Sequence, residues 1–216
     1  MKSNTLQSPR QGSPSARSER RQEQILEAAA KLFAEHGYSE TDTQRLADKL
    51  GVGKGTLYRY FPSKRELFLA TVDRVMRKLC DQCDRSMTEI EDPLDRIAAG
   101  IRAYLSFFAE FPGFVELLIQ ERAQFRERKK PTYFEYREAN LGKWQAMYRD
   151  LIAQGKVRDV PVERITDVVS EVLYGTIFVN YFSGQHKSFE TQAQDIIDIV
   201  FAGILTPAER ERRALA

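Results

Sequence analysis

Helix breakers divide this chain more decisively than any other feature. Gly37, Gly51, Pro62, Pro93, Pro112, Pro131, Pro161 and the Ser183-Gly184 pair stand at helix-length intervals. Between them apolar residues recur every three to four positions, and no segment alternates convincingly as a strand would. The helices so delimited are 20–36, 43–50, 54–60, 63–89, 94–110, 113–127, 132–154, 162–183 and 189–205. Pro93, Pro131 and Pro161 each fall where a helix begins, the place at which a missing N–H costs nothing. An all-α chain of about nine helices is expected.

One stretch is spaced too tightly to be ordinary helix packing. In Thr43 to Phe61, Leu46, Ala47 and Leu50 form the inner face of a two-turn helix capped by Asp42 or Thr41. Gly51 falls where the chain must reverse sharply, which favours a residue that tolerates positive φ. Val52 fills the gap, and Leu57 with Phe61 anchors a second short helix by i, i+4 spacing. Two short helices at a steep angle across a tight turn make a helix-turn-helix. With Leu57 inward, Gly55 and Arg59 lie nearly opposite, so the backbone can approach a groove floor while the guanidinium reaches base edges or phosphates. Lys54 sits in the first turn, beside free N–H groups that attract phosphate. A helix this short needs bracing, and Phe33, Phe61, Leu67 and Phe68 are the candidate braces.

Charge agrees with that placement. Residues 1–78 hold 15 Lys and Arg against 9 Asp and Glu, whereas residues 79–216 hold 18 against 22. A basic front on an acidic remainder points the first third at a polyanion. Other classes lack support. No run approaches the roughly 20 apolar residues of a membrane span, and no apolar region follows Lys2 and Arg10 as in a secretory signal. The cytoplasm is the expected compartment. No G-x-S-x-G, Walker loop or HExxH occurs, so an enzyme is not expected, nor a metal or other cofactor. Cys80 and Cys83 form a CxxC without a second pair, one turn apart in a long helix. They read as ordinary helical positions, with a thiol sensor as the alternative.

The run Gly51-Val52-Gly53-Lys54-Gly55-Thr56-Leu57-Tyr58-Arg59-Tyr60-Phe61-Pro62-Ser63-Lys64, followed by Leu67-Phe68, resembles the signature of the TetR family of bacterial transcriptional regulators. The likeness is strongest over about residues 20–70. It implies that Lys54, Gly55 and Thr56 approach the major groove, that Arg59 reads bases, that Tyr58, Tyr60 and Lys64 hold phosphates, and that Thr41 touches DNA backbone. Tyr60 replaces a frequent histidine. Asp42 replaces a frequent Ser or Thr, and an aspartate there caps the helix but repels DNA.

Residues 1–18, rich in Ser, Gln, Pro and Arg, read as a basic disordered tail. The resemblance organises the rest as a three-helix DNA-binding domain (19–65) and a larger ligand-sensing and dimerisation domain (66–216), with helix 63–89 linking the two. Helix 162–183 is apolar on two sides, with Ile165, Val169, Val172, Leu173 and Ile177 on one and Tyr174, Phe178 and Tyr181 on the other. Helix 189–205 repeats this with Ile196, Val200 and Ile204 beside Ile197 and Phe201. Either helix 162–183 is central to its own monomer, or Ile165, Val169, Val172, Ile196, Val200 and Ile204 meet a second copy in a four-helix interface, as the family implies.

The aromatic-rich helices 94–110, 113–127 and 132–154 are where the family keeps its effector. Phe107, Phe111, Leu118, Trp144, Tyr148 and Tyr174 are the candidate lining residues, suited to an apolar or aromatic compound. The basic cluster Arg126, Arg128, Lys129 and Lys130 reads as a solvated loop, or as an anion clamp. The expected function is a homodimeric repressor on a palindromic operator, released by a small effector. An activator with the same DNA-binding mode, or a helical interaction module without DNA binding, are the alternatives.

Overall fold

The computed structural model describes residues 14–184 and 188–214. Within them the chain is all-α. Ten helices follow in order: α1 Pro14–Glu40, α2 Thr43–Lys49, α3 Lys54–Tyr60, α4 Lys64–Met87, α5 Pro93–Glu110, α6 Gly113–Gln124, α7 Thr132–Ala153, α8 Val162–Ser183, α9 Phe189–Ile204 and α10 Pro207–Ala214. An isolated antiparallel bridge between Val157 and Leu205 ties the α7–α8 connection to the end of α9.

Two expectations are corrected. Helix α1 begins at Pro14, so residues 14–18 are helical and not tail; residues 1–13 lie outside the described residues. Helix α10, the tenth, was not anticipated. Its sequence is almost wholly polar, so it carries no apolar periodicity, and charge holds it instead. Arg213 pairs with Asp92 at 2.8 Å and Asp95 at 3.1 Å, and Arg212 and Arg213 both reach Glu209.

The elements nearest the N-terminus pack on α4 and α6. Phe33, Phe68, Tyr38 and Phe125 form an aromatic cluster in which Phe33–Phe68, Tyr38–Phe68 and Tyr38–Phe125 meet edge to face with ring centroids 5.0–5.2 Å apart, a geometry aromatic rings prefer to face-to-face stacking. This cluster takes Phe125 out of α6 and ends that helix at Gln124, earlier than the expected 127. Gly113 opens α6 against Ala34, where an added Cβ would stand 3.0 Å from the alanine methyl. Gln120 of α6 donates to the Phe33 carbonyl of α1 at 3.0 Å.

The basic loop after α6 is pinned by ion pairs. Arg128 meets the buried Glu121 at 3.3 Å and Glu135 at 3.0 Å, while Glu121 also accepts from Thr132. Lys130 pairs with Glu138. The two charges thus have carboxylate partners already.

Candidate nucleic-acid interface and effector cavity

The turn between α2 and α3 follows from three residues. Leu50 caps α2, Gly51 adopts φ +63°, and Val52 N–H bonds back to the Ala47 carbonyl at 3.0 Å while Gly51 N–H bonds to Asp48. That six-to-one and five-to-two pair is the Schellman closure, and it needs a left-handed residue at its centre. Asp42 caps the other end of α2 by accepting from Gln44 N–H at 2.8 Å. Leu46, Ala47, Leu57 and Phe61 are buried, and Phe33, Leu67 and Phe68 brace them as anticipated.

Helix α3 turns its other face outward. Lys54, Gly55 and Arg59 are exposed, and Thr56 is half-buried beside them. Among the described residues a Cβ on Gly55 would meet no atom within 4 Å, so none of them requires a glycine there. Lys54 lies 3.9 Å from Asp42, a loose pair that leaves the ammonium available. Arg59 rests over the Tyr60 ring with 5.4 Å to its centroid. Tyr60 bonds Ser18 of α1, which, with Arg59 nearby, draws its hydroxyl pKa below the usual tyrosine value.

The other two expected phosphate holders are engaged as well. The Tyr58 hydroxyl lies 3.0 Å from Thr43 Oγ1. Lys64 donates to the Ser39 carbonyl at 2.9 Å and sits over the Tyr38 ring, which leaves ammonium protons to spare. Thr41 is a correction: it is buried, with its hydroxyl donating to the Gly37 carbonyl at 2.6 Å. The reversal from α1 into α2 consumes that side chain, so no DNA contact is assigned to it.

A second site lies among α4, α5, α7 and α8. It is a cavity of about 140 Å³. Helix α5 contributes Ile97, Gly100, Ile101 and Tyr104 along one stripe, α4 contributes Met76, Leu79, Cys80 and Cys83, α7 supplies Trp144 and Tyr148, and α8 supplies Val169 and Leu173. Burial pushes the two thiols up to about 11 and about 12, with Asp84 adding to the effect, so both stay protonated.

Of the six expected lining residues, the cavity includes Trp144 and Tyr148 and excludes the other four. Phe107, further along α5 and beyond the cavity's end, meets Phe108 edge to face and packs on Phe114 of α6, and Phe111 is 46% exposed. Leu118 is buried in the core. Tyr174 packs its ring 4.7 Å from Tyr133 and 4.6 Å from Phe178, outside the lining. Tyr104, Tyr133 and Tyr136 were missed as lining residues. Their signal was Tyr104 continuing the Ile97–Gly100–Ile101 stripe.

The expected contact stripe also divides. Ile165 is buried in the chain's own core and Val169 faces the cavity, because helix α8 turns that side inward. Val172 is 40% exposed, and Ile196, Val200 and Ile204 are half-buried. The outward apolar residues are Val168, Val172, Val179 and Phe182 on α8 and Ile199 on α9. With Gly175 between them, the α8 set repeats at alternating spacings of four and three, the pattern of a helix seam.

A short helix projecting a basic face beyond a Schellman turn, carried by a larger helical bundle, defines a helix-turn-helix transcriptional regulator. The family model described as "Bacterial regulatory proteins, tetR family" matches residues 25–71. The nucleoid occlusion factor SlmA of Vibrio vulnificus is 30% identical over 152 residues, covering 66% of this chain and 74% of that protein. The chain belongs to the TetR family. Among solved structures, PfmR from Thermus thermophilus superposes with a TM-score of 0.66 at 26% identity, over 82% of this chain and 97% of that one. FadR from Bacillus subtilis, solved in complex with stearoyl-CoA, gives 0.72 at 18% identity over 84% and 98%. Among the described residues no helix is long and apolar enough to cross a membrane.

Proposed function

We propose that this chain is a homodimeric repressor that grips a palindromic operator and leaves it when a small apolar effector enters the cavity. The observation that carries this reading is the outer face of α3, where Lys54, Gly55 and Arg59 are exposed on a helix held rigidly by its inner face. Arg59 reads base edges, Lys54 and Lys64 hold phosphates, and Gly55 admits close approach of the backbone. Thr56, Tyr58 and Tyr60 flank these contacts, with Tyr58 turned toward Thr43 until DNA draws it out.

The dimer supplies the second reading head. The seam of Val168, Val172, Gly175, Val179 and Phe182, with Ile196, Ile199, Val200 and Ile204 beside it, is covered by the same surface of a second copy. Two α3 helices about 34 Å apart then meet successive major grooves. The fold neighbour that carries stearoyl-CoA supports a small-molecule effector for this architecture.

Release follows from continuity between cavity and α3. Helix α4 lines the cavity with Met76, Leu79 and Cys83 and begins at Lys64, directly after α3. A second route runs through α6: Tyr181 of α8 donates to Glu116 at 2.6 Å, Gln120 donates to Glu116 at 2.9 Å and to the Phe33 carbonyl of α1 at 3.0 Å. A ligand with higher affinity for the conformer whose α3 spacing misfits DNA shifts the population to it. Selection of bound sequences from a random duplex library tests the reading. A palindromic motif bound by two chains is the expected result, and single-chain binding or no motif overturns it.

A further inference from the structure

From one unpaired hydroxyl and two neutralised charges, we infer that the cavity takes a compact, uncharged, one-ring compound carrying a single hydrogen-bond acceptor, and that Tyr148 is the residue that selects it. This rests on the effector reading above and deepens it. Six hydroxyls line the cavity. Tyr104 and Tyr133 bond each other at 3.0 Å, Tyr136 donates to Asp73 at 2.7 Å, Thr166 donates to the Val162 carbonyl, and Ser170 donates to the Asp167 carbonyl. Tyr148 is the exception: it is 1% exposed and its hydroxyl has no partner among the described residues. Leaving such a group unmade costs more than a typical hydrogen bond returns. Burial raises its pKa, so it stays a protonated donor at any ordinary pH.

Size and charge narrow the class further. A cavity near 140 Å³ is close to one that accepts a benzene ring. The charged groups at its wall are spent on protein partners: Arg137 bonds Asp167 at 2.7 Å and Ser170 at 3.0 Å, and Asp84 pairs with Lys143. An ionic ligand would lose its hydration and find no free counter-charge, which disfavours it strongly. Asn140 donates to the Tyr136 carbonyl at 2.9 Å and to Cys80 Sγ at 3.5 Å, and the Cys83 thiol faces the Gly100 carbonyl; the rest of the wall is aliphatic and aromatic, which suits a ring.

The test uses an isosteric pair of probes, cyclohexanone and methylenecyclohexane, which differ in a carbonyl oxygen against a CH₂. Binding to the full chain is followed by calorimetry and by emission of Trp144, the chain's single tryptophan and a cavity residue. The wild type is expected to bind the ketone about tenfold more tightly than the hydrocarbon, the worth of one buried hydrogen bond. In Tyr148→Phe, with a melting temperature no lower than the wild type's confirming the fold, the two affinities become equal. The inference is overturned if the variant keeps the tenfold preference, if benzoate or tetramethylammonium outcompetes the ketone, or if no probe perturbs Trp144. Ketone binding that needs Tyr148 but leaves DNA affinity unchanged upholds the inference and refutes the effector reading.

Discussion

Replacing Gly100 by alanine puts the cavity's construction under direct test. A Cβ at Gly100 would stand 2.5 Å from Cη2 and 3.3 Å from Cζ3 of Trp144, and 3.4 Å from Met87 Sδ. Carbon atoms rest at about 3.5–4.0 Å, so the indole tip must retreat by about 1 Å. Overpacking of a closed core costs about 1–3 kcal/mol, while alanine in place of a helical glycine returns about 1 kcal/mol. Trp144 borders open space, so the cost sits at the low end and the net change is about 0–1 kcal/mol. For a chain of this size that is a fall in melting temperature of no more than about 4 °C. The retreating ring takes up cavity volume, so Trp144 emission shifts and cyclohexanone no longer binds. A fall well beyond 10 °C would mean that the ring has nowhere to go. Unchanged probe binding would mean that Trp144 does not wall the cavity. Either result refutes the reasoning.

The other predictions concern the turn, the seam, the phosphates and the thiols. Gly51→Ala forces an L-residue to φ +63° and is expected to destabilise by about 1–2 kcal/mol, read by chemical denaturation. Val179→Asp with Phe182→Asp is expected to give a folded monomer by sedimentation; a persistent dimer would place the seam elsewhere. Lys64→Ala is expected to weaken binding to all DNA sequences and to lower the salt slope by about one unit, whereas an unchanged slope removes Lys64 from the interface. Cys80, raised from 9.0 to about 11, should have about a hundredth of the ordinary thiolate at pH 8. Its alkylation should accordingly be about a hundredfold slow and climb until the pH passes that value. Fast alkylation at pH 7 would revive the thiol-sensor alternative.

What was legible in the sequence was whatever depends on local chemistry. Gly51 and Val52 announce their turn because only a left-handed residue closes it, and α3 and α8 begin and end where the breakers predict. Helix α10 was hidden because its stability comes from Asp92, Asp95 and Glu209, distant in sequence or silent in hydropathy. Thr41 was misread because a hydroxyl next to a cap looks free until the α1 carbonyl it serves is in place. On α5, Tyr104 and Phe107 share a stripe, and only the third dimension ends the cavity between them. The α8 seam was present as spacing in Val168, Val172, Val179 and Phe182. Periodicity marks two apolar sides and does not rank them, so Ile165 and Val169 took the place of the outward set.

The central claim is that α3 reads DNA from its Lys54–Gly55–Arg59 face. The most direct measurement is anisotropy titration of the selected duplex across a range of salt concentrations, with wild type beside Arg59→Ala. The account predicts a steep salt slope for both, since phosphate contacts persist, and a loss of about 1–3 kcal/mol in the variant on the selected sequence but little on an unrelated duplex. Equal losses on both duplexes would contradict base reading by Arg59, and salt-independent binding by the wild type would contradict the interface itself.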